Sequence, residues 1–229
     1  MTDLTYSEEF QYSHKNPYHQ RLEAFSQFVF RDSEAEQYRG KWNSDIFKKE
    51  APLILEIGTG YGHFLRDYCR QNPEVNFVGL DYRFKRSFQL AKSLARDEIE
   101  NYRYLRARGE RIEFIFGESE LDQLYYFFPD PWPKNPHKKK RLFQEGFIER
   151  AHRVLKPGAR FYIKTDHRDY GAQMIRLAEE SKLFDVELVS LDLHREHPDF
   201  WLNSYPTKFE KIFIAKNEPI IGLVLVNKK

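Results

Sequence analysis

The sequence predicts an α/β protein with a mostly parallel sheet, helices on both faces and an antiparallel edge at its end. Three observations carry this reading. From residue 51 onward, short apolar runs alternate with longer amphipathic ones. Within one of the longer runs, Phe84, Phe88, Ala91 and Ala95 recur at three- and four-residue intervals, the spacing of one helical face. The chain also closes on two apolar runs separated by Lys216-Asn217-Glu218-Pro219, a plausible hairpin connection. At 229 residues and 41% hydrophobic composition, the chain can bury one substantial core.

Taken in order, Leu53 to Ile57 reads as the first strand and His63 to Arg70 as a helix. Phe77 to Leu80 is a second strand, followed by a helix from Phe84 past Leu94. Ile112 to Phe116 is expected to be the third strand and Leu124 to Phe128 the fourth. Phe143 to Leu155 reads as a helix that stops at Lys156-Pro157-Gly158. Phe161 to Ile163 starts a fifth strand and Tyr170 to Glu180 is a helix. Val186 to Leu191, Phe209 to Ala215 and Ile220 to Val226 complete the expected strands.

Residues 1–50 differ in character, mixing aromatics with charge and holding few β-branched side chains. They are assigned to an N-terminal extension with helical content, in which Phe25, Phe28 and Val29 share a helical face; residues 51–229 form the main domain. The net charge of +2 says little about partners, so a nucleic-acid reading must rest on local charge. The only cysteine, Cys69, rules out an internal disulfide and fits a cytoplasmic protein. The apolar run Ile220 to Val226 is too short to cross a bilayer, and no membrane partner is expected.

Open parallel sheets hold ligands outside the carboxyl ends of their strands. The first such segment is Glu56-Ile57-Gly58-Thr59-Gly60-Tyr61-Gly62. Gly58, Gly60 and Gly62 let the backbone turn tightly and approach a ligand. A dinucleotide site favours Gly-x-Gly-x-x-Gly, but His63 stands where the third glycine belongs. Glu56 would oppose a diphosphate and suits a cationic ligand such as S-adenosylmethionine, which has a sulfonium and an ammonium group. Asp81, after the second strand, is placed to accept bonds from ribose hydroxyls, a role that NAD would require equally. Glu118-Ser119-Glu120, after the expected third strand, offers a third contact or a solvated loop.

The second informative segment runs from Phe127-Phe128-Pro129-Asp130-Pro131-Trp132-Pro133-Lys134 to Arg141. Two prolines restrain the backbone around Asp130 and hold its carboxylate in place. Trp132 either anchors the loop or stacks on a base. Lys134, Lys138, Lys139, Lys140 and Arg141 form a basic run suited to RNA phosphates. His194 and His197 lack a convincing set of partners, and no metal site is assigned.

With these segments in place, the chain resembles the bacterial tRNA (guanine-N7)-methyltransferases. The resemblance rests on Glu56 to Gly62, Phe128 to Lys134, His137 with Lys139-Lys140-Arg141, Thr165-Asp166 and Thr207-Lys208-Phe209-Glu210, in family order. It implies a class I methyltransferase fold with a seven-stranded sheet, S-adenosylmethionine as donor, and methylation of a variable-loop guanosine in tRNA. It further implies Asp130 as the central active-site acid, and Lys134, Asp166, Thr207 and Glu210 around the guanosine. Glu56 and Asp81 become the methionine-side and ribose-side acids, and Glu118 and Ser119 stand nearest the adenine. A monomer or homodimer without an obligate protein partner is expected.

Two departures accompany the match. The segment Gly117 to Gln123 is shorter than is usual in the family and lacks its Asp-Ala or Asn-Ala pair, and residues 1–50 lack the arginine-rich entry. A noncatalytic RNA-binding relative, a methyltransferase with another substrate, and an NAD-linked oxidoreductase are the alternative readings.

Overall fold

The structure is a computed structural model that describes residues 4–12 and 15–229. In chain order its elements are α1 (Pro17–Arg21), β1 (Val29–Arg31), α2 (Ser33–Glu36), β2 (Leu53–Ile57), α3 (His63–Gln71), β3 (Asn76–Leu80) and α4 (Phe84–Arg96). There follow β4 (Tyr102–Arg106), α5 (Ile112–Ile115), β5 (Leu121–Phe127), α6 (Glu145–Val154), β6 (Leu155–Thr165) and α7 (Arg168–Ser181). β7 (Phe184–Ser190), α8 (Leu193–Glu196), α9 (Lys208–Ala215) and β8 (Ile221–Asn227) complete the order, with short 3-10 or π turns between.

The described residues form one eight-stranded sheet in the order β1-β4-β3-β2-β5-β6-β8-β7. The strands from β1 to β6 pair in parallel, and β8 pairs antiparallel with both β6 and β7. This is the α/β class I methyltransferase sheet. β2 is buried on both faces, as a central parallel strand must be. Ile54 packs into one core layer and Leu53, Leu55 and Ile57 into the other. Strand order reverses between β2 and β5, so the crevice beyond their carboxyl ends is the expected ligand site.

Several expectations are corrected. Ile112 to Phe116 is not a strand: Ile112–Ile115 is helix α5, and the third strand of the domain is Tyr102–Arg106. Its arginines disguise it. Arg103 donates to the carbonyls of Glu100, Tyr102 and Ile46, while Arg106 pairs with buried Asp32 through Nη1 and leaves its Nε without a partner among the described residues, so each cation lies within the sheet beside a compensating group.

Phe209 to Ala215 is likewise helix rather than strand, because Thr207 and Glu210 form a capping box. The Thr207 hydroxyl accepts from Glu210 N–H at 3.1 Å, and the Glu210 carboxylate accepts from Thr207 N–H at 3.1 Å. No hairpin therefore joins residues 209–215 to β8, whose antiparallel partners are β6 and β7. Downstream of α6, the Lys156-Pro157-Gly158 segment stops the helix but lies inside β6, which begins at Leu155.

The shared helical face expected of Phe25, Phe28 and Val29 does not form. Val29 opens β1, which pairs with β4, and Phe28 stacks on Tyr102. Residues 29–31 thus extend the sheet beyond the seven expected strands. Trp42 is fully buried in the main core, its indole N–H donating to Ile115 O at 2.9 Å. No helix among the described residues is long and apolar enough to cross a membrane.

Candidate active site

β2 leads directly into the glycine turn. Gly58, Gly60 and Gly62 all have positive φ, the left-handed region where a Cβ is strained. Gly62 has a packing reason as well: a Cβ there would lie 2.5 Å from the Leu90 side chain of α4. Asp81, just after β3, fastens the turn. Its carboxylate accepts from Gly60 N–H at 2.9 Å and from Arg83 N–H at 2.8 Å. Burial pushes its pKa up, opposed by those backbone donors and by the Arg86 charge.

Gly58, Asp81 and Asp130 all line one cleft of about 1150 Å³. The cleft lies over the reversal point between β2 and β5. Phe128 and Trp132, on either side of Asp130, both have positive φ, which bends this proline-rich loop back over the sheet edge. Asp130 itself is largely exposed, 3.4 Å from the Arg83 guanidinium. Trp132 packs its ring edge-on to His137, and Lys140 Nζ sits 4.9 Å above that ring, so the indole anchors the loop. Lys139 and Lys140 reach the cleft rim.

Glu56 lies behind the glycine turn, outside the cleft wall. Its Oε2 is buried and has no hydrogen-bond partner among the described residues. Burial raises its pKa to about 8, and the nearby Asp81 charge adds to this. A buried acid with one unpartnered oxygen behind a glycine turn, with a second acid after the next strand, fits a ligand that is cationic at one end and a nucleoside at the other.

Several expected contacts are not brought to the cleft. Glu118 and Ser119 precede β5 and so occupy the opposite, amino end of the sheet, where Lys229 binds both. Glu120, beside them, accepts from Gly40 and Trp42 N–H and clamps the N-terminal segment. Its role is structural. Once β4 is Tyr102–Arg106, the residues following the third strand are Ala107 to Glu110, and Arg108, Gly109 and Glu110 do line the cleft.

Arg141 is a second correction. It is 3% exposed, donating to Pro131 O at 2.7 Å, to Gln173 at 2.5 Å and to Asp169 at 2.6 Å, with Tyr170 under its guanidinium. It braces the Asp130 loop against α7 and is not free for a phosphate. Lys138 is half engaged, ion-paired to the exposed Asp169 at 3.1 Å. Hydrogen bonds from Arg141 and Lys138 hold the Asp169 carboxyl below its ordinary value. Lys134 is exposed at the loop end.

Glu210 is the third. It is 0% exposed, and its Oε1 accepts from Lys164 Nζ at 2.7 Å and meets His194 Nε2 at 2.9 Å. With Oε2 closing the capping box, the carboxylate has no free edge for a guanine, and Thr207 is occupied by the same box. Asp166 follows β6 at the ligand edge of the sheet, half-buried and outside the cleft wall.

The cleft also has walls the sequence reading missed. Tyr82 and Arg83 follow Asp81, Arg106 and Arg108 both lie over the Tyr82 ring, and Thr5, Tyr6 and Tyr18 reach in from the N-terminal segment. A correctly assigned third strand would have pointed to the arginines.

Comparison with known proteins places this architecture. A protein family described as "Putative methyltransferase" matches residues 50–223. The chain belongs to that family. A tRNA (guanine-N(7)-)-methyltransferase of Bacillus licheniformis is 35% identical over 189 residues, covering 82% of this chain and 86% of that protein. Membership therefore extends, at family level, to the tRNA (guanine-N(7)-)-methyltransferases. A bifunctional glycosyltransferase/methyltransferase of Fusobacterium nucleatum subsp. nucleatum is 30% identical over 217 residues; the chain spans only 33% of that protein's length. The crystal structure of the 16S rRNA methyltransferase KamB superposes with a TM-score of 0.61 at 18% identity, covering 87% of this chain and 95% of that one, which shows the shared fold. A methyltransferase of this fold takes S-adenosylmethionine, and the Glu56, glycine-turn and Asp81 set fits that donor.

Proposed function

We propose that this methyltransferase transfers the methyl group of S-adenosylmethionine to N7 of a guanosine in tRNA, in the variable loop. The observation that carries the reading is the meeting of Gly58, Asp81 and Asp130 in one cleft at the carboxyl edge of the sheet. The relatives named as tRNA (guanine-N(7)-)-methyltransferases support the choice of atom and RNA.

S-adenosylmethionine supplies an electrophilic methyl group attached to a sulfonium. Guanine N7 has an in-plane lone pair, so no proton has to be removed before attack and Asp130 need not be a base. Asp130 provides fixed negative charge where the purine becomes cationic. The glycine turn and Asp81 orient the nucleoside end of the donor, Glu56 sets the charge behind the turn, and the cleft walls align the reactants. Lys139 and Lys140, at the cleft rim, hold phosphates, while Lys134 and Asp166 lie outside the cleft wall and would meet the RNA beyond it. The exposed Arg83–Asp130 pair is weak, worth at most about 1 kcal/mol, and RNA entry can separate it.

A tRNA transcript in which 7-deazaguanosine replaces guanosine tests the target atom. Transfer to the unmodified transcript and none to the deaza form is expected. Equal transfer to both would exclude N7.

A further inference from the structure

We propose that Phe209 is a stacking platform for an unpaired RNA base next to the nucleotide being methylated. The proposal rests on the functional reading above and deepens it by naming how the unstacked RNA strand is held.

α9 buries one residue fully, the acid Glu210, and half-buries one ring, Phe213, which packs on Phe128. Its larger apolar side chains besides Phe213 are left outside: Phe209 is 51% exposed, and Ile212 and Ile214 are exposed too. The Phe209 ring is backed by Phe213 at 6.4 Å and 20° and by Phe128 at 6.3 Å and 35°. Phe128 and Phe213 are themselves stacked at 5.7 Å. The three rings thus form one aromatic cluster in which Phe209 is the exposed member.

Its location sets its use. Phe128 belongs to the cleft wall and stands two residues before Asp130, so the cluster is continuous with the candidate active site. Lys208 and Lys211 are exposed on either side of Phe209 in sequence, and neither has an ion-pair partner among the described residues. Both lie close enough to His63, at the start of α3, for their charges to depress its pKa, after burial as the larger cause. An open aromatic face flanked by uncommitted cations is the combination that holds single-stranded nucleic acid, because every base has a π face and every nucleotide a phosphate. Removing a target nucleotide from its stack exposes the face of its neighbour, and that is the surface Phe209 would cover. Phe209 is therefore a positioning residue, with no part in the chemistry.

The test compares the parent protein with Phe209→Tyr, Phe209→Leu and Phe209→Ala. For each, tRNA affinity, the KM and kcat of methyl transfer, donor affinity, thermal midpoint and oligomeric state are measured. Leu and Ala are expected to weaken tRNA binding by roughly 5- to 150-fold, expressed in the KM for tRNA, while Tyr restores binding to within about twofold of the parent. Donor affinity and thermal midpoint should stay at parental values. Replacing Lys208 and Lys211 by Gln should lower the salt dependence of tRNA binding by about one per lysine, and Phe209→Leu should leave it unchanged. Parental tRNA affinity in Phe209→Leu would overturn the platform while leaving the functional reading standing. The same result with a changed oligomeric state would assign the face to a protein contact. A parent protein that neither binds nor methylates any RNA would defeat the functional reading, and the platform with it.

Discussion

The Arg83 guanidinium stands 3.4 Å from the Asp130 carboxylate at the mouth of the cleft. Arg83 lies two residues past Asp81, whose carboxylate accepts both its N–H and that of Gly60, so this contact joins the donor side of the site to the loop that carries the proposed active-site acid.

Asp130→Asn keeps the shape of the side chain and removes its charge. Methyl transfer should fall by on the order of 100-fold or more if Asp130 stabilises a developing cation. Stability should move by no more than about 0.5 kcal/mol, since the residue is exposed. Single-turnover kinetics with a thermal melt checks both; near-parental turnover would remove Asp130 from the chemistry.

Glu56 gives donor binding a pH dependence. Its folded-state pKa is about 8, so the free protein near pH 6 holds the acid neutral, whereas a cationic donor prefers it ionised. Donor affinity should rise by up to roughly tenfold per pH unit on approach to pH 8 and then level off. Stability runs the other way. The folded state keeps a proton that the unfolded chain releases from about 4.5 upward, so Glu56 lowers stability as pH rises from there to about 8. Glu56→Gln should flatten both profiles, as calorimetric titrations and melts at pH 6 and 8 would show.

The Lys164–Glu210 pair should behave as structure. Glu210→Ala leaves the Lys164 ammonium buried without its partner and should cost about 3–5 kcal/mol. Adding Lys164→Met should recover part of that loss. Denaturant melts of the two single variants and the double variant measure the coupling. A stable Glu210→Ala protein with weakened tRNA binding would instead return this acid to the substrate.

The basic loop divides into two classes. Lys139→Ala with Lys140→Ala should weaken tRNA binding and reduce its salt slope by about two, without lowering stability. Arg141→Ala should destabilise the protein first, because its three hydrogen-bond partners brace the Asp130 loop. Salt-dependent filter binding beside thermal melts separates the two effects.

What was legible in the sequence follows from the kind of signal each residue carries. β2 and β3 are buried on both faces and read directly as apolar runs. The glycine turn and the Pro-Asp-Pro-Trp loop are local devices, and the structure places both at one cleft. β4 was hidden because two partners of its arginines, Ile46 O for Arg103 and Asp32 for Arg106, are distant in sequence. α9 was misread because its apolar content outweighed the Thr207-to-Glu210 spacing, although that spacing is itself a helix-start signal. Glu210 and Arg141 looked like ligand groups because charge is visible in sequence and burial partners are not.

The central claim is that one cleft brings a methyl donor and a tRNA guanosine together. Incubating the protein with methyl-labelled S-adenosylmethionine and a mixed tRNA pool, then digesting to nucleosides and mapping the labelled position, tests it most directly. The account expects label in 7-methylguanosine from the variable loop. Label in another nucleoside, or none in any tRNA, would contradict it.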